Sequence, residues 1–334
     1  MSSRTKAATK PPIMKTRSAK TGPAKAAAVM GAPAMGGMAS MGGMPMKKYD
    51  RSAEDMGNMV ELGHVNVQVP DQHLATLYYM SGLGLTRDAL LMTGVENMWI
   101  NIGRGQFHLP TRPAQVLRGV TGLVVPSLAD LRQRLKIVED RLAGTKFSWT
   151  DHGDYIGATC PWGNHVRCHA PGPRFGKMRL GMPYVEFPVP KGSLTGIKRF
   201  YDELFGARTK LEKDTRGKYL SVCSGDGQSL HFRESKVPQP EYDGHHIQVT
   251  LADFSGPHRK LKERGLITEE SDQWQYRFKD IIDLDTAKVL FTIEHEVRSM
   301  THPMFNRPLI NRNPIMTNRN YRPGHDSATW ASME

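Results

Sequence analysis

The sequence predicts an α+β fold built from four βαβββ modules that form two incomplete-barrel domains. Three observations carry this prediction. A short alternating strand leads into an amphipathic helix at four places, and a region of strands and turns follows each helix. Three of these regions then close on related, glycine-led strands. One strand–helix pair would be ordinary, whereas four copies in order indicate an internal repeat.

The four module starts share a pattern of apolar positions more than they share identical residues. In chain order they are LGHVNVQVP (62–70), GVTGLVVPSLADLRQRL (119–135), LGMPYVEFPVP (180–190) and GHHIQVTLADFSGPHRKLKERGL (244–266). The first and third align when Pro70 is placed on Pro190, a spacing of 120 residues. Three modules close on GQFHLP (105–110), GNHVRCHAP (163–171) and GQSLHFRE (227–234), and the fourth closes on VLFTIEHEV (289–297) without a preceding glycine turn.

These repeats divide the chain into four segments. Residues 1–59 form a basic leader rich in Met and Gly, which we expect to be disordered because it lacks periodic apolar positions. A first domain of paired modules covers 60–172, and a second covers 178–298. An extended C-terminal arm, rich in Pro, Asn and Arg, covers 299–334 and could support a homo-oligomer.

The charge of the chain is concentrated in its leader. The net charge is +12, but residues 1–48 hold nine basic residues and no acidic one. The rest of the chain has 36 basic and 33 acidic residues, so the charge balance does not indicate a nucleic-acid-binding surface.

The leader and the cysteines bear on the cellular compartment. An acid-free basic leader is typical of an organelle transit peptide, and a disordered basic arm is the alternative. Three cysteines without a CxxC pair favour a reducing compartment, either the cytoplasm or an organelle, over secretion. The sequence contains no apolar run of 18 residues, which argues against a membrane span.

Closing strands such as GNHVRCH and helix ends such as FYDELFGA resemble the vicinal oxygen chelate superfamily. That superfamily includes glyoxalases, bleomycin-resistance proteins and extradiol dioxygenases. The resemblance covers residues 60–298, and four modules in one chain are most similar to the two-domain dioxygenases. It implies that each pair of modules curls a sheet around a cleft. It also implies that metal ligands come from the first and closing strands of each module.

In the first domain, strand alternation places His64 and His108 on the cleft face. The second module offers Val120 and Arg167 at the corresponding positions. Two histidines beside an arginine, without a carboxylate, favour a degenerate site. We therefore expect His64 to be a polar cleft residue rather than a ligand.

The second domain offers a better ligand set. Alternation predicts that His231, His246 and Glu294 face the cleft and together bind a divalent metal. Two imidazoles and one carboxylate favour Fe(II), with Mn, Zn or Ni as alternatives. Tyr184 stands where the resemblance to extradiol dioxygenases implies a histidine, so it could ligate, donate a hydrogen bond or cap the pocket.

The function predicted from this reading is a metal-dependent oxygenase, similar to extradiol dioxygenases, whose partner is a small-molecule substrate with vicinal oxygens. Tyr184 and Glu296 are the candidate catalytic residues, which would orient the substrate or move protons, and Arg233 could assist them. A glyoxalase-like isomerase or lyase would need a second carboxylate as base, either Glu186 or Glu296. A non-catalytic small-molecule-binding or assembly protein that reuses the fold remains a third alternative.

Overall fold

The computed structural model of the chain describes residues 49–91 and 96–307. Most of the predicted leader (1–48) and most of the predicted arm (308–334) lie outside these residues. The last part of the leader is structured, since Arg51–Glu54 forms a 3₁₀ turn and the first strand begins at Met59.

Each of the first two modules follows the predicted order of strand, helix and three strands. The first module contains β1 (Met59–Asn66), α1 (Gln72–Ala75) with its π-helical continuation (Thr76–Gly82), β2 (Thr86–Arg87), β3 (Asn97–Ile102) and β4 (Gly105–Pro110). The second contains β5 (Val120–Val124), α2 (Leu128–Glu139), a 3₁₀ turn (Asp140–Leu142), β6 (Ser148–Asp151), β7 (Tyr155–Thr159) and β8 (His165–His169). The Asp71 side chain caps α1 by accepting hydrogen bonds from the backbone N–H groups of His73 and Leu74.

The other two modules repeat the order after a 3₁₀ turn at Pro173–Phe175. The third contains β9 (Gly181–Pro190), α3 (Leu194–Arg199) with its π-helical continuation (Phe200–Phe205), β10 (Thr209–Asp214), β11 (Gly217–Gly225) and β12 (Gln228–Ser235). The fourth contains β13 (His246–Leu251), α4 (Ser255–Glu263), β14 (Ile267–Asp272), β15 (Gln275–Ile282) and β16 (Val289–Ser299).

The strands of the described residues form two eight-stranded sheets, and neither closes into a barrel. The first sheet has the order β14-β15-β16-β13-β1-β4-β3-β2, and the second has the order β10-β11-β12-β9-β5-β8-β7-β6. The predicted α+β class with four βαβββ modules and two open sheets is confirmed.

The modules that share a sheet are not the ones that the sequence predicts. The sequence predicts that the first and second modules share one sheet, within 60–172, and that the third and fourth share the other, within 178–298. Instead, β1 pairs with β13, which joins the first module to the fourth, and β5 pairs with β9, which joins the second to the third. The predicted boundary near residue 175 therefore falls inside the second sheet. All four modules carry the same apolar alternation, so the pattern alone does not specify which two will pair.

The helices cover one face of each sheet, and the opposite face of each sheet forms a cleft. From β1, Val65 and Val67 are buried in the apolar core, and α2 contributes Leu131 and Leu135. Gln228 links the two sheets, because its side-chain amide donates to the carbonyls of Leu62 and Met182. Among the described helices, none has the length and apolar character needed to cross a membrane.

Candidate metal centre

Three histidines from two modules meet on the cleft face of the first sheet. His64 lies on β1, His108 on β4 and His246 on β13. Each offers one ring nitrogen, and these three atoms all lie within 4.8 Å of one another. The Nε2 atoms of His64 and His246 are 3.5 Å apart. Among the described residues, this cluster could hold a metal ion.

The strand register explains why these positions converge. His64 pairs with Gln248 and Asn66 pairs with His246 across the antiparallel β1–β13 junction, so His64 and His246 are equivalent across a local two-fold axis. In the parallel pairs, Asn66 lies beside His108 and Gln248 lies beside Glu296. His108 and Glu296 are therefore equivalent positions on the two closing strands.

Glu296 places a carboxylate beside the cluster. Its Oε2 atom is 3.5 Å from His246 Nε2, and its side chain is only 4% exposed. Arg277 and Arg298 each place a guanidinium nitrogen 2.6 Å from one of its oxygens. Burial alone would raise the pKa of Glu296, but Arg298 and the neighbouring histidines hold that pKa well below its ordinary value. The carboxylate is thus ionised and has lone pairs on both oxygens.

Glu294 lies on the other side of His246. Its Oε1 atom is 3.5 Å from His246 Nδ1, and Arg277 donates to the same oxygen at 2.6 Å. Because Nε2 of His246 faces the cluster, Glu294 contacts the second ring nitrogen. A carboxylate in that position orients a ligating imidazole instead of ligating itself.

Burial keeps two of the three histidines neutral. It lowers the pKa of His64 well below 6.5, and the nearby Glu296 carboxylate opposes only part of that effect. Burial, aided by repulsion from His246, lowers the pKa of His108 to about 3. Neutral imidazole is the form that binds metals, so both rings are ready to ligate near neutral pH.

The donor set fits a divalent transition metal. Three imidazoles and one carboxylate are ligands that Zn, Fe, Mn and Ni accept. His108 Nε2 is buried and has no hydrogen-bond partner among the described residues, although a buried polar atom normally has one. The His108 ring is held in place by stacking on Trp99, with the ring centroids 3.8 Å apart. A metal ion would satisfy this nitrogen.

The structure separates the ligands that the sequence predicts. His246 and Glu294 lie on the first sheet, but His231 lies on β12 of the second sheet. Because the third module pairs with the second, its closing strand does not approach β13 and β16 as the prediction required. Of the two predicted catalytic residues, Glu296 belongs to the cluster, and Tyr184 lies on β9 of the second sheet.

In the second sheet, the positions equivalent to the candidate metal ligands carry side chains that do not form such a cluster. Tyr184 lies flat against Gly122, where a Cβ atom would come within 2.4 Å of the tyrosine ring. The Tyr184 ring also stacks on His231, with the centroids 5.0 Å apart, and its hydroxyl is 2.9 Å from His169 Nε2. Together with Val120 and Arg167, these side chains leave no metal-ligand cluster in the described part of this cleft.

Space for a substrate beside the cluster is small and polar. A cavity of about 30 Å³ touches His64, and one of about 310 Å³ lies next to it. Glu61, Arg104 and Gln106 line both cavities. Met304, from the described part of the predicted arm, lines both of them as well.

Comparison with known proteins supports the fold. No family model and no curated protein matches the sequence. A Bacillus subtilis protein assigned, without confirmation, as a dioxygenase has a TM-score of 0.50 at 14% identity, over 74% of this chain and 87% of that chain. Glyoxalase I from Zea mays has a TM-score of 0.50 at 13% identity, over 75% of this chain and 95% of that chain. The chain thus shares the fold of these two structures.

Proposed function

We propose that the protein is a metal-dependent enzyme that acts on a small substrate with two adjacent oxygens. His64, His246 and Glu296 would hold the ion, with His108 within reach as a fourth ligand. The observation that carries this proposal is the convergence of three histidines from two modules, two of them buried and one half-buried, with their ligand atoms within 4.8 Å of one another. Unrelated strand positions would seldom bring three imidazoles together in this way.

A bound divalent ion would supply Lewis acidity, which lowers the pKa of a chelated substrate hydroxyl. The protein would contribute orientation and charge. Arg104 and Gln106 line both cavities beside His64, and Arg298 lines the smaller one, so these side chains can hold an anionic or hydroxylated substrate. Glu294 would fix the orientation of the His246 ring through its Nδ1 atom.

The leading reaction type is dioxygenation of the extradiol kind. Two histidines and one carboxylate on one side of an ion form the arrangement that non-haem Fe(II) oxygenases use, and three positions then remain open. His64, His246 and Glu296 supply this set. Fe(II) is therefore the favoured metal, and the substrate oxygens and O2 would share the open positions.

His108 favours a second candidate, a glyoxalase-like isomerase or lyase. With a fourth protein ligand, a bound ion would have room for a chelating substrate but not for O2 as well. Glu61, which lines both cavities beside the cluster, would then be the carboxylate placed to act as a base. Glu186, which the sequence also offers for this role, lies on the second sheet.

Metal analysis tests the shared part of the proposal. Protein purified and incubated with Fe(II), Mn(II) or Zn(II) should retain about one ion per chain after desalting, measured by plasma mass spectrometry. His246→Ala should lose that ion, because it removes a central ligand. His231→Ala is the matched control and should retain it, since His231 lies on the other sheet. A metal-free wild-type protein would favour a non-catalytic binding protein.

His108→Ala distinguishes the two reaction types. For the oxygenase, the variant should keep its iron and still consume O2 with a catechol, because His108 is not part of the minimal ligand set. For the isomerase, it should lose metal affinity to the same extent as His246→Ala. Metal retention without any O2 consumption, in both the wild type and the variant, would contradict the oxygenase.

A further inference from the structure

The cleft of the second sheet contains a cavity that is larger than either of the two cavities beside the histidine cluster. Its volume is about 560 Å³, which lies within the range of small-molecule sites. Residues on the cleft faces of β7, β8, β9 and β12 form its floor, and β6 forms one rim. No metal cluster occupies this cleft among the described residues, so any ligand would be recognised by the protein's own groups.

Arginine and acidic side chains form an ion-pair network at the floor of the cavity. Glu186 accepts hydrogen bonds from Arg167, Arg216 and Arg233, and Asp214 pairs with the last two. Three guanidinium groups therefore meet two carboxylates. Arg216 and Arg233 each contact both acids, whereas Arg167 contacts only Glu186 of the two, at 3.1 Å, together with the Tyr184 side chain. The Arg167 side chain is 25% exposed. Arg167 is the cation best placed to receive an external anion.

The walls of the cavity are aromatic and apolar. Tyr155 lines it and is half-buried, which leaves part of its ring accessible, whereas Trp149 pairs with Ala158 and packs its side chain against the core. Tyr155 is itself held by stacking on His152, with the centroids 4.4 Å apart. Val120 and Pro188 add apolar surface near the floor. Aromatic walls above a guanidinium group favour a planar ligand that carries a negative charge.

We propose that this second cleft binds a small aromatic carboxylic acid, independently of the metal centre. The carboxylate would lie on the Arg167 guanidinium, which offers a forked set of donors that matches a carboxylate. The ring would lie beside Tyr155 and His152. The site does not depend on the proposed enzymatic function, because none of its residues belongs to the first sheet.

Gly157 provides a way to block this cavity without changing its charge. It lies in the middle of β7 and lines the cavity. A Cβ atom added there would meet only His152 Nε2 at 3.5 Å and atoms of the Tyr155 ring at 3.8 Å, which are ordinary contacts. A larger side chain would therefore project into the cavity instead of into the core.

The test uses 2-naphthoate as the probe, with calorimetric titration of the full-length protein. Wild-type protein should bind 2-naphthoate at least about tenfold more tightly than the neutral 2-naphthalenemethanol or the ringless acetate, since a charge-assisted hydrogen bond contributes at least one factor of ten. Arg167→Gln should remove about tenfold or more of the affinity for 2-naphthoate. Arg199→Gln, which alters an exposed arginine of α3, should leave it unchanged.

Two further variants locate the bound probe. Gly157→Leu should abolish binding while the thermal melt stays cooperative, and His246→Ala should bind as wild type does. Equal affinity for the neutral analogue or for acetate would overturn the proposal. Unchanged binding in both Arg167→Gln and Gly157→Leu would also overturn it. Loss of binding in His246→Ala alone would overturn it as well, because that result would place the probe at the metal centre. No measurable binding by wild-type protein would likewise refute it.

Discussion

At the scale of single residues, His246 makes contacts through both of its ring nitrogens. Nε2 lies 3.5 Å from His64 Nε2 and 3.5 Å from Glu296 Oε2, whereas Nδ1 lies 3.5 Å from Glu294 Oε1. Glu294 and Glu296 therefore differ in role although they are two positions apart on one strand. Glu296 shares the central space with the imidazoles, and Glu294 supports one of those imidazoles from behind.

This difference predicts graded effects on metal affinity. Glu294→Gln should weaken binding by about 10- to 100-fold, the usual effect of removing a carboxylate that orients a ligating histidine. Glu296→Gln should weaken it further, because it removes a charged ligand. Competition against a chelator of known affinity would measure both. Glu270→Gln, at an exposed ion pair of β14, is the control. Equal losses in Glu294→Gln and Glu296→Gln would mean that both carboxylates ligate.

At the scale of secondary-structure elements, alternation predicts which side chains face the cleft. Val65 and Val67 are buried in the core while His64 faces the cluster, and His108 lies between the core residues Phe107 and Leu109, as the sequence predicts. Alternation does not predict which carboxylate of β16 lies beside the histidines, since Glu294 and Glu296 lie on the same face. The other three closing strands follow a glycine turn that fixes their alignment, and β16 lacks that turn.

The described part of the C-terminal arm is anchored by a buried ion pair. Arg307 Nη2 lies 2.5 Å from Asp88 Oδ2, and their side chains are 3% and 0% exposed. Asp88 also accepts hydrogen bonds from Gln106, which lines the cavities beside His64. The arm is therefore connected to the wall of the metal cleft through Asp88.

Breaking this ion pair should destabilise the protein. Arg307→Ala should lower the free energy of unfolding by about 3–5 kcal/mol, because it leaves a buried carboxylate without its cation. Asp88→Asn combined with Arg307→Ala should lose less, since no uncompensated charge then remains. Urea unfolding followed by circular dichroism would measure the double variant and both of its single variants, Arg307→Ala and Asp88→Asn. A double variant that is as unstable as the sum of its single variants would contradict a direct interaction.

At the scale of the whole molecule, the sequence predicts the modules but not their partners. The 120-residue repeat is real, since Asn66 pairs with His108 on its closing strand as Glu186 pairs with His231. Each module start carries the same apolar alternation, so any two modules could form a sheet by that criterion alone. The choice of partner module determines the site, because His64 and His108 lie near His246 and Glu296 only when the first and fourth modules pair. For that reason, the residues of its own module do not identify His64 as a candidate ligand.

Because of this pairing, two overlapping fragments of the chain should differ in their ability to fold. A fragment covering 60–172, the first domain predicted from the sequence, contains β1 without β13 and β5 without β9. Each of these strands would expose a long unpaired edge, which favours aggregation over folding. A fragment covering 113–238 contains all eight strands of the second sheet in one continuous stretch. It should therefore be soluble and melt cooperatively by circular dichroism, whereas 60–172 should not. A cooperative melt of 60–172, together with an unfolded 113–238, would show that the first module pairs with the second and the third with the fourth, and would return His231 to the candidate ligand set.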